Sequence, residues 1–459
     1  MPALRSLVVS LAVSALVATL LLTQSASGVD AARQPGSDPG GFTAVGSRVY
    51  FAATTATHGR ELWISDGTAA GTHEVADINP APGEGSSPEQ LTVMDGRVFF
   101  FAYDGSGCAL WKSDGTTDGT KRLGGGDLCE MGNLAKVGRK LFFTNDTGLW
   151  VSDGWAGGTR QIADIGQYSG PHAQLNGDYY FFNSTTRDTW DLWKSNGTPA
   201  GTSIVTEMAI PPEFASYEPA DMISAGGLLY FRIGQIYPGG STSTDLWQSD
   251  GNAAGTRKVR DFDEDQDQVT DLTKLGDKAY FAVDVGSTGP GTNPALWKSN
   301  GTESGTKIVK SISPDVITSV GSRLFLFAAD GSGMALWKSR GTASTTTKVY
   351  SVALPTCTMG SNDPYCLLDP TPAAVGSRLF FPANSPGNGI ELWVSDGTTA
   401  GTHMVKNIDR GDASSNPSNL ASAGSLLYFA ARSANHGREL WVSDGTAAGT
   451  HMVLDINPG

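Results

Sequence analysis

The sequence predicts an all-β protein, a β-propeller built from nine four-stranded repeat units, and three observations carry that expectation. The string ELWISDGTAAGTHEV at 61–75 returns as ELWVSDGTAAGTHMV at 439–453. The same Trp-centred pattern occurs nine times, at Trp63, Trp111, Trp150, Trp193, Trp247, Trp297, Trp337, Trp393 and Trp441, about 47 residues apart on average. Self-similarity at that period belongs to propeller blades or solenoid coils. Ahead of each Trp lie apolar runs split by a Gly-containing pair, such as FTAVGSRVYFAA (42–53) and LASAGSLLYFAA (420–431), which read as β-hairpins. Nine blades exceed the usual four to eight. An eight-bladed ring with one extra unit and two smaller propellers are therefore alternatives; one ring is favoured because no Pro/Ser-rich linker interrupts the series.

The elements follow in chain order. Arg5, then the uncharged run Leu7–Leu22, then small residues have the layout of a secretory signal peptide, assigned to 1–31. The run is shorter than the ~20 residues of a membrane span. Residues 32–41 (ending RQPGSDPGG) read as a linker, and 42–459 as the repeats. In each unit a hairpin supplies two strands, ELWxS a third, DGTxAGT a turn, and a short run such as THEVADI a fourth. Alternation along the third strand places Leu62 and Ile64 on one face, Trp63 and Ser65 on the other, with the indole filling the wedge between blades. Asp66 is positioned to accept bonds from the amides that follow it, and Gly67 and Gly71 are expected at positive φ.

These residues resemble the ELWxxDGT repeat family, also called hyalin-like repeats, of exported bacterial proteins, and the likeness covers 42–459. The resemblance implies a repeat architecture and export; it brings no agreed activity and no catalytic residue. The turn is also similar in placement to the Asp-box of sialidase propellers, without that motif's spacing and following Trp. Repeat 7 departs from the pattern, with Arg340 in the Asp place and Thr345 in a Gly place; repeat 3 has Trp155 and repeat 5 Asn252 for the first Thr. Such tolerance marks the turn as scaffold.

A net charge of −14 and a pI near 4.8 make nucleic acid and anionic membranes poor partners. Four cysteines in an exported chain favour disulfides, Cys108 with Cys129 and Cys357 with Cys366. Connections between second and third strands and between units vary in length, whereas the other two turns are constant, so function is expected on the variable-loop face. Three groups stand there. His58, Arg60 and Glu61 in repeat 1, with His436, Arg438 and Glu439 in repeat 9, form a polar seam or a ligand site. Arg187, Trp190, Phe214, Tyr217, Arg232 and Tyr237 either cover long loops or stack on sugars and pair with their anionic groups. Asp261, Asp263, Asp265 and Asp267 have alternate spacing suited to calcium, without the Gly and Glu of a calcium loop; a solvated acidic loop is the alternative. His73, His403 and His451 read as structural, and Asn145 and Asn183 head glycosylation sequons.

The function expected from these features is a non-catalytic exported module binding a polysaccharide or an extracellular protein. The alternatives are a glycan hydrolase or lyase with its site in the ring mouth, and a structural surface protein.

Overall fold

The computed structural model describes residues 36–124, 132–146, 148–166, 168–184, 189–208, 211, 214–260, 262, 267–284, 294–330, 333–354 and 371–458. Among them are 36 β-strands and only four single-turn 3₁₀ segments. The strands run as consecutive antiparallel meanders of four. Seven meanders are separate four-stranded sheets; those of repeats 5 and 6 merge into one eight-stranded sheet through a single parallel pair, Thr244 with Gln268. The fold is thus an all-β, β-propeller-like repeat. Repeat 1 sets the pattern: β1 (Gly40–Val45), β2 (Arg48–Thr55), β3 (Gly59–Ser65) and β4 (His73–Ala76), paired in that order. β1 packs on the first strands of repeat 2 (Glu89–Met94) and repeat 9 (Ser418–Ala423). First strands therefore stand innermost and fourth strands outermost.

Each sheet is buried on both faces, and the period of two divides its side chains between two neighbours. Leu62 and Ile64 join Val98 and Phe100 of repeat 2, while Trp63 points the other way, onto Tyr428, Leu440 and Val442 of repeat 9. The same division recurs in nine apolar clusters, each shared by two repeats. Opposite the motif Trp on the second strand stands Phe in eight repeats and Leu326 in repeat 7. In six repeats the Phe and indole centroids lie 6.0–6.5 Å apart. An aromatic pair of this kind contributes about 0.5–1.5 kcal/mol beyond its buried area.

The motif turn is a closed set of bonds. The Asp66 carboxylate accepts from the Thr68 amide at 2.9 Å and hydroxyl at 2.7 Å, and the Thr68 hydroxyl accepts from the Gly71 amide at 3.0 Å. The Gly67 amide donates to Ser65 Oγ at 3.0 Å, and Ser65 Oγ lies 2.7 Å from the Thr72 hydroxyl. That Ser–Thr bridge, spanning seven residues, is present in every repeat. Gly67 has φ +91°, and a Cβ there would sit 2.9 Å from the Tyr428 hydroxyl of repeat 9. Gly71 departs from expectation: it is not among the positive-φ glycines, and its constraint is the Asp66 carboxylate, 2.1 Å from where a Cβ would lie.

That contact explains the paired change in repeat 7. With Arg340 in the Asp place no carboxylate opposes a side chain at position 345. Thr345 Oγ1 takes over the vacated acceptor role, receiving the Arg340 and Thr342 amides at 3.2 and 3.3 Å. The expected linker is also packed in its described part. Ser37 is fully buried and β1 begins at Gly40, because this segment is held against repeat 9, as detailed below.

Transplanting the repeat 7 pair into repeat 9 tests this account. G449T alone is expected to lower stability by roughly 1–3 kcal/mol through the clash with Asp444. D444R/G449T is expected to recover most of that loss, a non-additivity read from urea midpoints.

Candidate functional site

The His-Arg-Glu sets take part in contacts within repeats 1 and 9 and from them to the segments that adjoin them. The Glu61 carboxylate, fully buried, accepts from the Ser86 amide at 2.9 Å, the Ser86 hydroxyl at 2.5 Å and the Asn79 amide at 3.2 Å. It thereby pins the connection from repeat 1 to repeat 2. Glu391 holds Ser415 in the same way between repeats 8 and 9. Glu439 accepts from the Ser37 amide at 2.8 Å, the Ser37 hydroxyl at 2.5 Å and the Ile456 amide at 3.1 Å. The equivalence extends to the backbone. Thr54 donates to Ser37 O as Tyr103 does to Ser86 O and Arg432 to Ser415 O, and Asp38 donates to Arg438 O as Ser87 does to Arg60 O. The segment around Ser37 thus occupies, after repeat 9, the place that an inter-repeat connection takes elsewhere.

Arg60 and Arg438 reach the same short segment: Arg60 donates to Asp38 O at 2.8 Å, and Arg438, nearly buried, lies 3.4 Å from an Asp38 carboxylate oxygen while also donating to Asn416 O. The histidines stay in their own repeats, His58 on Glu74 at 2.9 Å and His436 beside the Ser433 hydroxyl. Glu74 raises the His58 pKa.

Of the second group, Trp190 and Tyr217 are buried in the cluster between repeats 4 and 5, with Phe214 packed on it. Phe214 stacks on Tyr217 and meets Tyr237 edge-on at 5.0 Å. The rings do come together, over the cluster shared by repeats 4 and 5. Arg232 is held by Asp221 at 2.6 and 2.9 Å and donates to Val269 O of repeat 6, which fixes one first strand to the next. Arg187 lies outside the described residues. So do Asp261, Asp263 and Asp265; Asp267 serves through its carbonyl, which accepts the Thr244 amide. Cys108 is disulfide-bonded; Cys129, Cys357 and Cys366 lie outside the described residues. His73, His403 and His451 are exposed heads of fourth strands. Asn145 accepts the Trp150 indole N–H at 3.0 Å, and Asn183 is buried, donating to Gly166 O.

Two pockets among the described residues lie at the constant-turn face, where the repeats depart from their pattern. The larger, about 500 Å³, opens between repeats 2 and 3 and is lined by Arg97, Phe99, Lys112, Arg139, Asp95 and Trp155, with neighbouring residues. Trp155 stands in the first Thr place of its turn. Its amide still caps on Asp153 at 3.0 Å, so the turn persists, yet its side chain is 66% exposed, the most exposed large apolar group among the described residues. Lys112 Nζ sits 4.1 Å from the indole centroid and donates to Gly154 O at 3.0 Å. Burial, and then the nearby Arg97, pull the Lys112 pKa down. Arg139 pairs with Asp95 at 3.1 Å. The arrangement offers an open indole face rimmed by cations, suited to an apolar ring surface bearing hydroxyls or anionic groups. The smaller pocket, about 230 Å³, belongs to repeat 7. The signal for both was visible in the sequence as Trp155 and Arg340, two residues that the scaffold does not require.

Neither a protein-family model nor a curated protein matches this chain. Among solved structures it is similar to a puromycin hydrolase (12% identity, TM-score 0.44, covering 80% of this chain and 53% of that one). It is also similar to oligopeptidase B from Leishmania major (12%, 0.46, 87% and 54%). A third likeness is to an oligogalacturonate lyase from Vibrio parahaemolyticus (11%, 0.40, 67% and 88%). The chain spans about half the length of the puromycin hydrolase and of oligopeptidase B.

Burial pushes the Glu391 and Glu439 carboxyls up to about 7 against the pull of their donors. An unfolded Glu titrates near ~4.3. Between these values the folded chain binds more protons than the unfolded one, so stability is expected to fall as pH rises from about 5 to about 7. Urea unfolding across that range should show the slope in the wild type and a flatter one in E391Q/E439Q.

Proposed function

We propose that this protein is a β-propeller-like binding module that recognises a polysaccharide through the Trp155 pocket on its constant-turn face. The observation that carries the reading is the exposed indole itself. A large apolar ring left 66% exposed, with Lys112 as its cation partner, buries little surface within the protein, whereas a sugar face stacked on it would bury both surfaces. Arg97, Lys112 and Arg139 would orient polar or acidic substituents around the ring. The pocket's carboxylates are engaged, Asp95 with Arg139 and Asp153 with the Trp155 amide, which favours binding over hydrolysis. The apolar leader at 7–22 supports export, the repeated string supports kinship with the ELWxxDGT repeat proteins, and the bonded state of Cys108 supports a Cys108–Cys129 bridge.

The architecture we infer is one closed ring of nine blades. What supports it is the equivalence of the Glu439–Ser37 latch to those at Glu61 and Glu391, together with the apolar cluster shared by repeats 9 and 1. In such a ring S37A, S86A and S415A are expected to cost comparable amounts, roughly 1–3 kcal/mol each; a negligible cost for S37A alone would mean that the ring is open.

Binding is tested on a glycan array with the secreted form and its W155T variant, which restores the turn of the other repeats. The substitution is expected to weaken polysaccharide binding about tenfold or more. Unchanged binding in W155T would remove the site from this pocket, and cleavage products would replace the reading with a glycan hydrolase or lyase.

A further inference from the structure

We propose that repeat 7 carries a separate site for an oxyanion group, a sulfate or phosphate, built on Arg323, Lys338 and Arg340. Its pocket of about 230 Å³ is lined by those three cations and by Ser339, Ser344, Thr345 and Thr347, with no carboxylate in the lining. In a chain of net charge −14, such a concentration of positive charge needs a reason.

The turn does not supply one. In eight repeats the Arg340 place holds Asp or Asn, whose oxygen caps the amide two residues on, as Asp66, Asn300 and Asp444 do. In repeat 7 Thr345 does the capping, and the Arg340 guanidinium makes no hydrogen bond or ion pair with any described residue. The exchange of acid for base therefore leaves an exposed, uncommitted fork of donors beside two other cations.

Those two are fixed by the neighbouring blade. Lys338 Nζ donates to Gly397 O at 2.7 Å and Arg323 Nη1 to Asp396 O at 3.0 Å. Both side chains lie against Gly397, where a Cβ would fall 2.9 Å from Arg323 Nη1 and 3.5 Å from Lys338 Cδ. The Asp396 carboxylate is occupied by the Thr398 amide and hydroxyl, at 2.8 and 2.7 Å. Each arginine thus keeps N–H groups directed by its planar fork, the geometry that oxyanions accept in pairs, and the hydroxyls add further donors. A tetrahedral oxyanion fits this set whether it arrives free or on a larger polymer.

The test is calorimetric titration with sodium sulfate and sodium phosphate against chloride at matched ionic strength, followed by a sulfated oligosaccharide and its desulfated form. Saturable binding of one anion per chain is expected. R340D/T345G, which restores the turn of the other repeats and so should fold, is expected to weaken it about tenfold or more, and R323Q to weaken it less. Tighter binding of the sulfated oligosaccharide, lost in R340D/T345G, would assign the oxyanion to a glycan; equal binding of the inorganic ions would assign it to a free anion. Absence of saturable binding to any of these probes, or equal affinity in R340D/T345G, would overturn the proposal.

Discussion

A sheet buried on both faces must assign every central side chain to one neighbour or the other, and the rest of this molecule depends on that assignment. In β3 the even-numbered Leu62 and Ile64 face repeat 2 while Trp63 faces repeat 9. Because the indole is much larger than the leucine beside it, the two faces of each sheet are unequal, and large side packs on small side in one rotational sense. Phe on the second strand, directly opposite the Trp, doubles the aromatic layer and keeps it in register.

The motif turn serves this packing by fixing where the third strand ends. Its two glycines have different causes. Gly67 combines a left-handed backbone with the close approach of Tyr428 from repeat 9, so it couples turn to interface. Gly71 only makes room for Asp66. The distinction predicts which positions can change together, and repeat 7 has changed both members of the second pair while keeping Gly341 at φ +84°. Once capping is secured by another route, the displaced position is free to carry chemistry. Trp155 is the same case in repeat 3, where backbone capping on Asp153 survives the loss of the Thr hydroxyl. On the face with the least variable turns, these two single departures each stand at a pocket.

The described connections after repeats 1 and 8, in contrast, hold neighbouring repeats together. Buried carboxylates at the head of the third strand gather backbone amides and a serine hydroxyl from the following connection, a use of a charged group that its burial makes costly unless each oxygen is satisfied. Gln90 on the Leu134 amide and Asn419 on Pro39 O add a second set of ties between innermost strands. The His-Arg-Glu strings look like catalytic groups in sequence because the same residue types satisfy buried polar groups and perform proton transfer.

What the sequence determined by itself is everything that repeats: the 47-residue period, the four strands, the alternation of Leu and Trp, and the Asp-capped turn. Local hydrogen bonds and the period-two geometry of a strand are enough to fix these, and nine copies make the pattern legible. Three-dimensional packing decided the rest. Ser37 lies 402 residues from Glu439, so that contact has no local signature beyond the Ser-x-Pro that Ser37–Pro39 shares with Ser86–Pro88 and Ser415–Pro417. Whether Tyr217 and Arg232 face solvent or a neighbouring blade depends on loop paths set by the adjoining repeat. Whether Trp155 is buried or open depends on the side chains that repeat 2 places opposite it, Lys112 and Arg97 among them.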